Sequence, residues 1–258
     1  MLYSLISKPF LITECWIHLM VRGSLIVLTS FIICFFGIKY FLKFINNKNI
    51  CRQPIRQSGP ENHLKEKQNT PTMGGLVIVL STIFSAILWV DVFNNYIAAT
   101  LFIFISFSSI GFVDDFMKVR GQDSNGFKGS VKIIIQFCIV GLTLMFLHNT
   151  NLVYLQNEIA LPFSDVSLNI GQFYALFAII VVVGAANSVN LTDGLDGLVS
   201  VPAIITLISL VFITYFVSNY NLSQSLKVEF IAGSEQIILL CLALIGSILA
   251  FLIYNLKP

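Results

Sequence analysis

The sequence predicts an all-α, polytopic membrane protein with about seven transmembrane helices. Hydrophobic residues make up 56% of the 258 residues and charged residues 11%, and the mean hydropathy is +0.86. These values lie far from the averages of soluble globular domains. The apolar residues also come in long blocks, several of which reach the roughly 20 residues that a helix needs to cross a bilayer. Both observations exclude a soluble globular fold.

Seven apolar blocks are predicted to be membrane-spanning helices, because each is long enough to cross the bilayer once and is bounded by polar or Gly/Asn-rich sequence. They cover residues 20–42, 73–93, 95–113, 131–148, 171–189, 198–217 and 235–254. We expect residues 1–258 to form a single transmembrane domain. Its motif-bearing cytoplasmic loops are predicted at residues 43–72, 114–130 and 187–197.

Lysine and arginine predict the orientation of the chain, because they favour cytoplasmic loops. The loops after the first and third spans are rich in both: the first holds Lys43, Lys48, Arg52, Arg56, Lys65 and Lys67, and the second holds Lys118, Arg120, Lys128 and Lys132. The loop after the fourth span contains neither. The N-terminus is therefore expected outside and Pro258 inside. Residues 1–19 lack the pattern of a signal peptide and are read as an uncleaved interfacial or outside segment.

Neither the net charge nor the cysteines indicate a function. A net charge of +2 is too small to indicate nucleic-acid binding. The five cysteines form no CxxC pair and four lie in or near apolar segments, so they are predicted to be small buried hydrophobic residues.

The segment "NSVNLTDGLDGL", residues 187–198, places polar side chains directly after an apolar block. Asn187, Asn190, Asp193 and Asp196 recur at every third position, which on a helix forms one slowly drifting stripe. The segment carries no basic residue, so membrane orientation does not explain it. The structural alternative is helix capping by Asp193 and a turn at Asp196.

A second acidic site, "IGFVDDFMKVRG", ends the third predicted span with Asp114 and Asp115, followed by Lys118. Two negative charges about 4 Å apart repel by roughly 4 kcal/mol at an effective dielectric constant near 20, so such a pair needs a cation or a proton. The alternative is a water-exposed helix terminator. If the third and fifth spans are neighbours, the aspartates of both segments form an oxygen-rich cluster suited to Mg²⁺. With the lysines that follow, this cluster indicates phosphoryl-transfer chemistry at a membrane surface.

The loop "GPENHLKEKQNTPTMGG", residues 59–75, is the third distinctive segment. The hydroxyls of Thr70 and Thr72 and the glycine backbone at a membrane entry are suited to hold a polar ligand. A plain helix start with Thr72 as the cap is equally compatible, and His63 alone is read as a surface histidine.

These three motifs, in this order and at these spacings, closely resemble the phospho-N-acetylmuramoyl-pentapeptide transferases. The acidic motifs are shared by the wider family of polyprenyl-phosphate N-acetylhexosamine-1-phosphate transferases, whereas "GPENHL" and "TPTMGG" look like the muramoyl branch. The resemblance spans nearly the whole chain.

The resemblance implies a Mg²⁺-dependent transfer of phospho-MurNAc-pentapeptide from its UDP carrier to undecaprenyl phosphate, giving lipid I and UMP for peptidoglycan synthesis. The reaction would take place at the cytoplasmic face of the bacterial inner membrane. By motif, Asp114 and Asp115 would be catalytic, as base towards the lipid phosphate or as nucleophile on the diphosphate. The implied substrate-binding residues are Asn187, Asn190, Lys132, Lys118, Lys67 (or Lys65) and Thr72, and the implied metal ligands are Asp193 and Asp196.

The chain departs from the family pattern in two ways. The stretch from His63 to Thr70 is one residue longer than usual, which makes the matching lysine ambiguous. The family also continues beyond "FLIYNLKP" with a "GDxGS" segment that carries a further metal ligand, more spans to a total of ten, and a histidine-rich loop. We therefore expect the chain alone to be inactive or weakly active, with a homodimer or a separate C-terminal half as further partners.

Three competing functions are open on the sequence. A related enzyme would transfer another HexNAc-1-phosphate to a polyprenyl phosphate. A transporter or channel would bind ions through intramembrane carboxylates, but the acidic residues cluster at one surface and no inverted pair of broken helices is visible. An inactive membrane remnant would bind no UDP-sugar.

Overall fold

The computed structural model describes residues 12–48, 73–121, 128–150, 158–161, 163–164, 166–192 and 199–255. Its helices are α1 (Ile12–Lys48), α2 (Gly75–Trp89), α3 (Asn95–Gly121), α4 (Gly129–Asn149), α5 (Phe173–Thr192), α6 (Ser200–Ser218), α7 (Tyr220–Leu226) and α8 (Glu235–Asn255). Strands β1 (Glu158–Ala160) and β2 (Ser167–Asn169) pair antiparallel, with Ile159 opposite Leu168. The predicted all-α, polytopic membrane architecture is confirmed.

All seven predicted apolar blocks form helices, and six of these helices are long and apolar enough to cross a membrane. The exception is α2, whose 15 residues reach about 22 Å at 1.5 Å per residue, short of the roughly 30 Å hydrocarbon core. It ends before the predicted residue 93 because the backbone turns extended at Val90. Helix α3 instead runs past the predicted end at residue 113 to Gly121.

Helix α8 lies at the centre of the bundle. It packs against α1, α2, α3 and α6, and 56% of its most apolar stretch is buried, against 6% for α5 and α6. A helix that is apolar on all sides is suited to such a central position. The remaining helices leave large apolar faces exposed, as expected of surfaces that face lipid.

Small residues let α8 approach α1 and α2 closely. A Cβ atom on Gly246 would lie 2.2 Å from Ser30 Oγ and 2.5 Å from the Val27 carbonyl oxygen, so only glycine fits there. Next to it, Ser247 Oγ lies 3.0 Å from both Ser81 Oγ and Thr82 Oγ1 on α2. Close backbone approach and interhelical hydrogen bonds of this kind hold helices together where no hydrophobic effect acts between them.

One end of the bundle is tied by Arg22, and we call it the Arg22 end. Arg22 donates from Nε to the Trp89 carbonyl oxygen over 3.2 Å and from Nη2 to Gln236 Oε1 over 3.1 Å. The Trp89 carbonyl belongs to the C-terminal turn of α2, where carbonyls lack helical partners and attract cations. The arginine therefore joins the start of α1, the end of α2 and the start of α8.

Two short elements were missed by the sequence reading. The hairpin lies in the segment predicted as a plain loop between the fourth and fifth spans, and α7 lies between the sixth and seventh. The signal for α7 is Asn219, whose side chain caps the helix by accepting from Asn221 N at 3.1 Å and Leu222 N at 3.2 Å. Lys227 then ends the helix in the left-handed conformation, with φ at 52°.

The prediction that the cysteines are small buried residues holds for two of them and is wrong for a third. Cys34 and Cys241 are buried, whereas Cys138 is exposed. Cys138 does lie within an apolar helix, but on the side of α4 that no other described helix covers.

We predict that Gly246→Ala destabilises the bundle, because its Cβ would overlap Ser30 and the α1 backbone. The expected loss is about 1–3 kcal/mol in the free energy of unfolding, as for other overpacked cores, measured by equilibrium unfolding in mixed micelles. Gly141→Ala is the matched control, because a Cβ there meets nothing within 4 Å. Equal stability of the two variants would contradict the close approach.

Candidate active site

The predicted site residues that the structure describes lie at the end of the bundle opposite Arg22, which we call the Asp114 end. At this end Gly74, just before α2, packs against Phe251 near the end of α8. Asn94 Nδ2, just before α3, donates to the Gly233 carbonyl oxygen at the Arg22 end, so α3 runs from there to Asp114. Helix α4 begins shortly after α3 ends and packs against it. The C-terminus of α3 and the N-terminus of α4 therefore share the Asp114 end.

The acidic pair lies on the last turns of α3. Lys118 Nζ lies 2.6 Å from Asp114 Oδ2 and 3.6 Å from Asp115 Oδ1, the i,i+4 and i,i+3 spacings that bring side chains together on a helix. The side chains differ in exposure, at 13% for Asp114 and 39% for Asp115. Lys118, expected to bind substrate phosphate, thus offsets the repulsion between the two carboxylates. Asp115 is the more accessible of the pair.

Helix α4 contributes two polar side chains near the Asp114 end, Gln136 and Lys132. Gln136 is only 3% exposed, and its Oε1 accepts a hydrogen bond of 2.7 Å from Asn187 Nδ2 on α5. Lys132 lies one turn before Gln136, on the same face of the helix, and is partly buried. The hydrogen bond places the C-terminal part of α5 beside the N-terminal part of α4, so Asn187 belongs to the Asp114 end as well.

The predicted acidic cluster is conditional on the third and fifth spans being neighbours, and in the described parts of the chain these two helices do not pack directly against each other. Helix α4 packs against both α3 and α5, and no comparable contact joins α3 to α5 among the residues that the structure describes. The acidic pair and the asparagine stripe therefore share one end of the bundle through α4. The reason is that the short connection from α3 to α4 places these helices side by side, and the polar pair Gln136–Asn187 then joins α5 to α4.

Five of the implied substrate-binding and metal-ligating residues lie outside the described residues and stay predictions: Lys65, Lys67, Thr72, Asp193 and Asp196. Asn190 is described and lies exposed on the last turns of α5.

In the "TPTMGG" motif, the described part has a packing role. The cap of α2 is Gly74, not Thr72 as the structural alternative had it. A Cβ on Gly74 would lie 2.6 Å from the Phe251 ring, and Met73 before it is left-handed with φ at 74°. The glycine therefore permits α8 to pack against the start of α2.

The donor chemistry at the Asp114 end suits a hard divalent cation. The polar groups are the carboxylates of Asp114 and Asp115 and the carboxamides of Asn187 and Asn190, and oxygen ligands of this kind are those that Mg²⁺ prefers. Within the described parts of the chain, no group of three His, Cys, Asp or Glu side chains gathers around one point. The predicted metal ligands Asp193 and Asp196 lie outside the described residues and stay predictions.

The fold defines a class: a polytopic helical membrane protein, in which the predicted acidic and amide side chains lie towards the same end of the bundle. Comparison with known families agrees, because residues 96–258 match the model described as Glycosyl transferase family 4. Residues 67–79 match phospho-N-acetylmuramoyl-pentapeptide-transferase signature 1, which includes the "TPTMGG" motif.

Curated relatives carry the same name. The chain is 38% identical over 263 residues to the phospho-N-acetylmuramoyl-pentapeptide-transferase of Rickettsia bellii (strain OSU 85-389), covering 100% of the chain and 72% of the relative. It is 34% identical over 264 residues to that of Maricaulis maris (strain MCS10), with the same coverage of 100% and 72%. It is 40% identical over 232 residues to that of Ruegeria sp. (strain TM1040), covering 90% and 64%.

The chain belongs to the phospho-N-acetylmuramoyl-pentapeptide-transferase family, a family of membrane transferases, and the resemblance read from the three motifs is confirmed. It spans 64% to 72% of the length of these three relatives.

We predict that Lys118→Met destabilises the Asp114 end, because it leaves the largely buried Asp114 carboxylate without this donor. A hydrogen-bonded charge in such a position contributes about 1–2 kcal/mol to the free energy of unfolding, which equilibrium unfolding in mixed micelles measures. Arg120→Met is the control, because Arg120 lies exposed on the same helical turn and should change stability by less than about 0.5 kcal/mol. Equal losses in both variants would contradict a specific role for Lys118.

Proposed function

We propose that this chain transfers phospho-MurNAc-pentapeptide from its UDP carrier to undecaprenyl phosphate, giving lipid I and UMP in a Mg²⁺-dependent reaction. The Asp114 end would face the cytoplasm of a bacterium, with the N-terminus outside. The observation that carries the proposal is the gathering of Asp114, Asp115, Lys132 and Asn187 at one end of a membrane bundle whose relatives are named for this activity.

Asp115 is proposed as the carboxylate that reacts. Its side chain is three times as exposed as that of Asp114, at 39% against 13%, so a phosphate approaching along the membrane surface reaches it first. Asp114 holds Lys118 through the shorter contact. The accessible carboxylate has either of two roles, as base towards the lipid phosphate or as nucleophile on the diphosphate.

The remaining polar residues are proposed to hold the nucleotide-linked donor. Lys132 supplies a cation for the diphosphate, and the carboxamides of Asn187 and Asn190 supply neutral hydrogen-bonding groups beside it. Asp193 and Asp196 follow on the chain and are the proposed metal ligands. Bound Mg²⁺ would neutralise charge on the diphosphate and on the departing UMP.

The acceptor lipid is proposed to arrive from the bilayer side. Helices α5 and α6 are exposed over most of their surface, with 6% of their most apolar stretches buried. Their apolar faces suit contact with acyl or polyprenyl chains, while the phosphate of the lipid remains at the level of the Asp114 end.

The test is transfer of radiolabelled UDP-MurNAc-pentapeptide to undecaprenyl phosphate in membranes that contain the chain. We expect weak product with Mg²⁺, in line with the weak activity expected from the sequence, and none with EDTA; Asp115→Asn should lower the rate by about 100-fold or more, because the variant removes the reacting carboxylate. Asp91→Asn is the matched control: Asp91 lies at the Arg22 end, where its Oδ1 accepts from Phe93 N, an acceptor that asparagine keeps. Product that survives EDTA, or an Asp115→Asn rate within twofold of the unmodified chain, would contradict the proposal.

Donor choice separates the muramoyl reaction from transfer of another HexNAc-1-phosphate. The match of residues 67–79 to the muramoyl signature supports UDP-MurNAc-pentapeptide as the donor. We expect excess unlabelled UDP-MurNAc-pentapeptide to suppress labelled product and the same excess of UDP-GlcNAc to leave it unchanged. Suppression by UDP-GlcNAc alone would favour the other transferase.

A further inference from the structure

Gln136 is a buried polar side chain in an otherwise apolar stretch of α4, and neither the motifs nor the resemblance assigns it a role. It is 3% exposed, and its carboxamide oxygen receives the 2.7 Å hydrogen bond from Asn187 Nδ2. A buried amide in a membrane helix costs free energy unless it is hydrogen-bonded. The cost is recovered here by a bond to a residue proposed to bind substrate.

The hydrogen bonds fix which way the Asn187 carboxamide points. Its Nδ2 also lies 2.8 Å from the Val183 carbonyl oxygen, one turn earlier on α5. A backbone carbonyl only accepts, so the atom facing it must be the amide nitrogen, and the Gln136 atom that faces the same nitrogen must be an acceptor. The two N–H groups of Asn187 are thereby both used.

The carboxamide oxygen of Asn187, Oδ1, is the remaining polar atom of the side chain. It makes no hydrogen bond to another residue in the described part of the chain. With Gln136 absent, one of the two N–H bonds is lost and rotation of the carboxamide is opposed by the Val183 contact alone. Gln136 therefore fixes the orientation of the Asn187 carboxamide, and it is this carboxamide, not Gln136, that would face the substrate.

The hydrogen bond between Gln136 and Asn187 also fixes the position of Lys132 along the axis of α5. Helix α4 starts and α5 ends at the Asp114 end, so the two helices run antiparallel. One turn from Gln136 towards this end is Lys132, and about one turn from Asn187 towards it is Asn190. The Gln136–Asn187 contact thus places a cation and a second carboxamide at the same level of the bundle.

We propose that Gln136 is a positioning residue for the nucleotide-linked donor: it holds the Asn187 carboxamide with its oxygen towards the donor and sets the register of Lys132. This inference rests on the proposed function, since it concerns how the donor is held. It predicts that loss of Gln136 weakens donor binding through Asn187 and not through a general loss of structure.

The test is Mg²⁺-dependent binding of radiolabelled UDP-MurNAc-pentapeptide to the purified full chain in nanodiscs, with Gln136→Met, Asn187→Ala and the double variant. Methionine keeps the volume and the helix but removes the acceptor. We expect about tenfold weaker binding for Gln136→Met, the effect of losing one well-placed hydrogen bond. In the Asn187→Ala background the same change should weaken binding by less than about twofold, because the partner is already gone.

Thr143→Val is the control for removing a buried polar group from α4. Thr143 is also 3% exposed, but its hydroxyl donates to the Ile139 carbonyl oxygen of its own helix at 2.9 Å, away from Asn187. We expect its binding within about twofold of the unmodified chain, with thermal unfolding confirming that every variant is folded. A loss for Thr143→Val equal to that for Gln136→Met would overturn the inference.

The remaining outcomes separate the inference from the proposed function. If the unmodified chain binds the donor and Gln136→Met binds equally well, the inference is wrong and the function stands. If Gln136→Met weakens binding as much without Asn187 as with it, Gln136 does not act through Asn187 and the inference is again wrong. If the unmodified chain binds no donor, the proposed function fails, and the inference fails with it.

Discussion

The contact between α8 and α1 at Gly246 is the constraint on which the positions of the other helices depend. Apolar helices gain nothing by leaving lipid for one another through hydrophobicity alone, so close backbone approach and polar contacts must hold them. Gly246 lies against Ser30 and the Val27 backbone, and Ser247 beside it bonds to α2. With α8 anchored in this way, α3 and α6 pack against its remaining sides. The path of α3 in turn sets the end of the bundle at which Asp114 lies.

The residues of the proposed site lie at the periphery of this anchored core. About a sixth of the most apolar stretches of α3 and α4 is buried, at 17% each, against 56% for α8. Few apolar contacts hold these helices, so polar bonds have more weight in setting their register. Lys118 joins the two acidic residues within α3, and Gln136 joins α4 to α5. The proposed reaction needs a site that both a water-soluble donor and a lipid acceptor can reach, and a peripheral position at one end of the bundle is compatible with this need.

Much of this architecture can be read from the sequence, because long apolar blocks and clustered carboxylates are strong signals. The seven helices and the acidic pair Asp114–Asp115 follow from them. The role of α4 as the link between α3 and α5 cannot be read from the sequence, because an apolar block carries no information on which other helices it packs against. The signal that was available is Gln136, an amide within an apolar block, which indicates a polar partner on a neighbouring helix.

Other differences have equally specific causes. The pairing of Lys118 with Asp114 follows from their i,i+4 spacing, whereas binding of substrate phosphate by Lys118 stays a prediction. Helix α2 is shorter than its apolar block because the block continues into an extended turn at Val90. The exposure of Cys138 could not be predicted from the sequence, because a uniformly apolar sequence does not indicate which side of a helix meets lipid. The hairpin and α7 are too short for hydrophobic periodicity to reveal them.

The central claim is that α4 holds α3 and α5 in the register that gathers the site, and cross-linking tests it most directly. Cysteines would replace Gln136 and Asn187 in a chain whose native cysteines have been removed, and a short bifunctional thiol reagent would be added in native membranes. The account predicts rapid cross-linking of the 136/187 pair and none of a 143/187 pair, two helical turns away. Cross-linking of 143/187 in preference to 136/187 would show a different register and contradict the account.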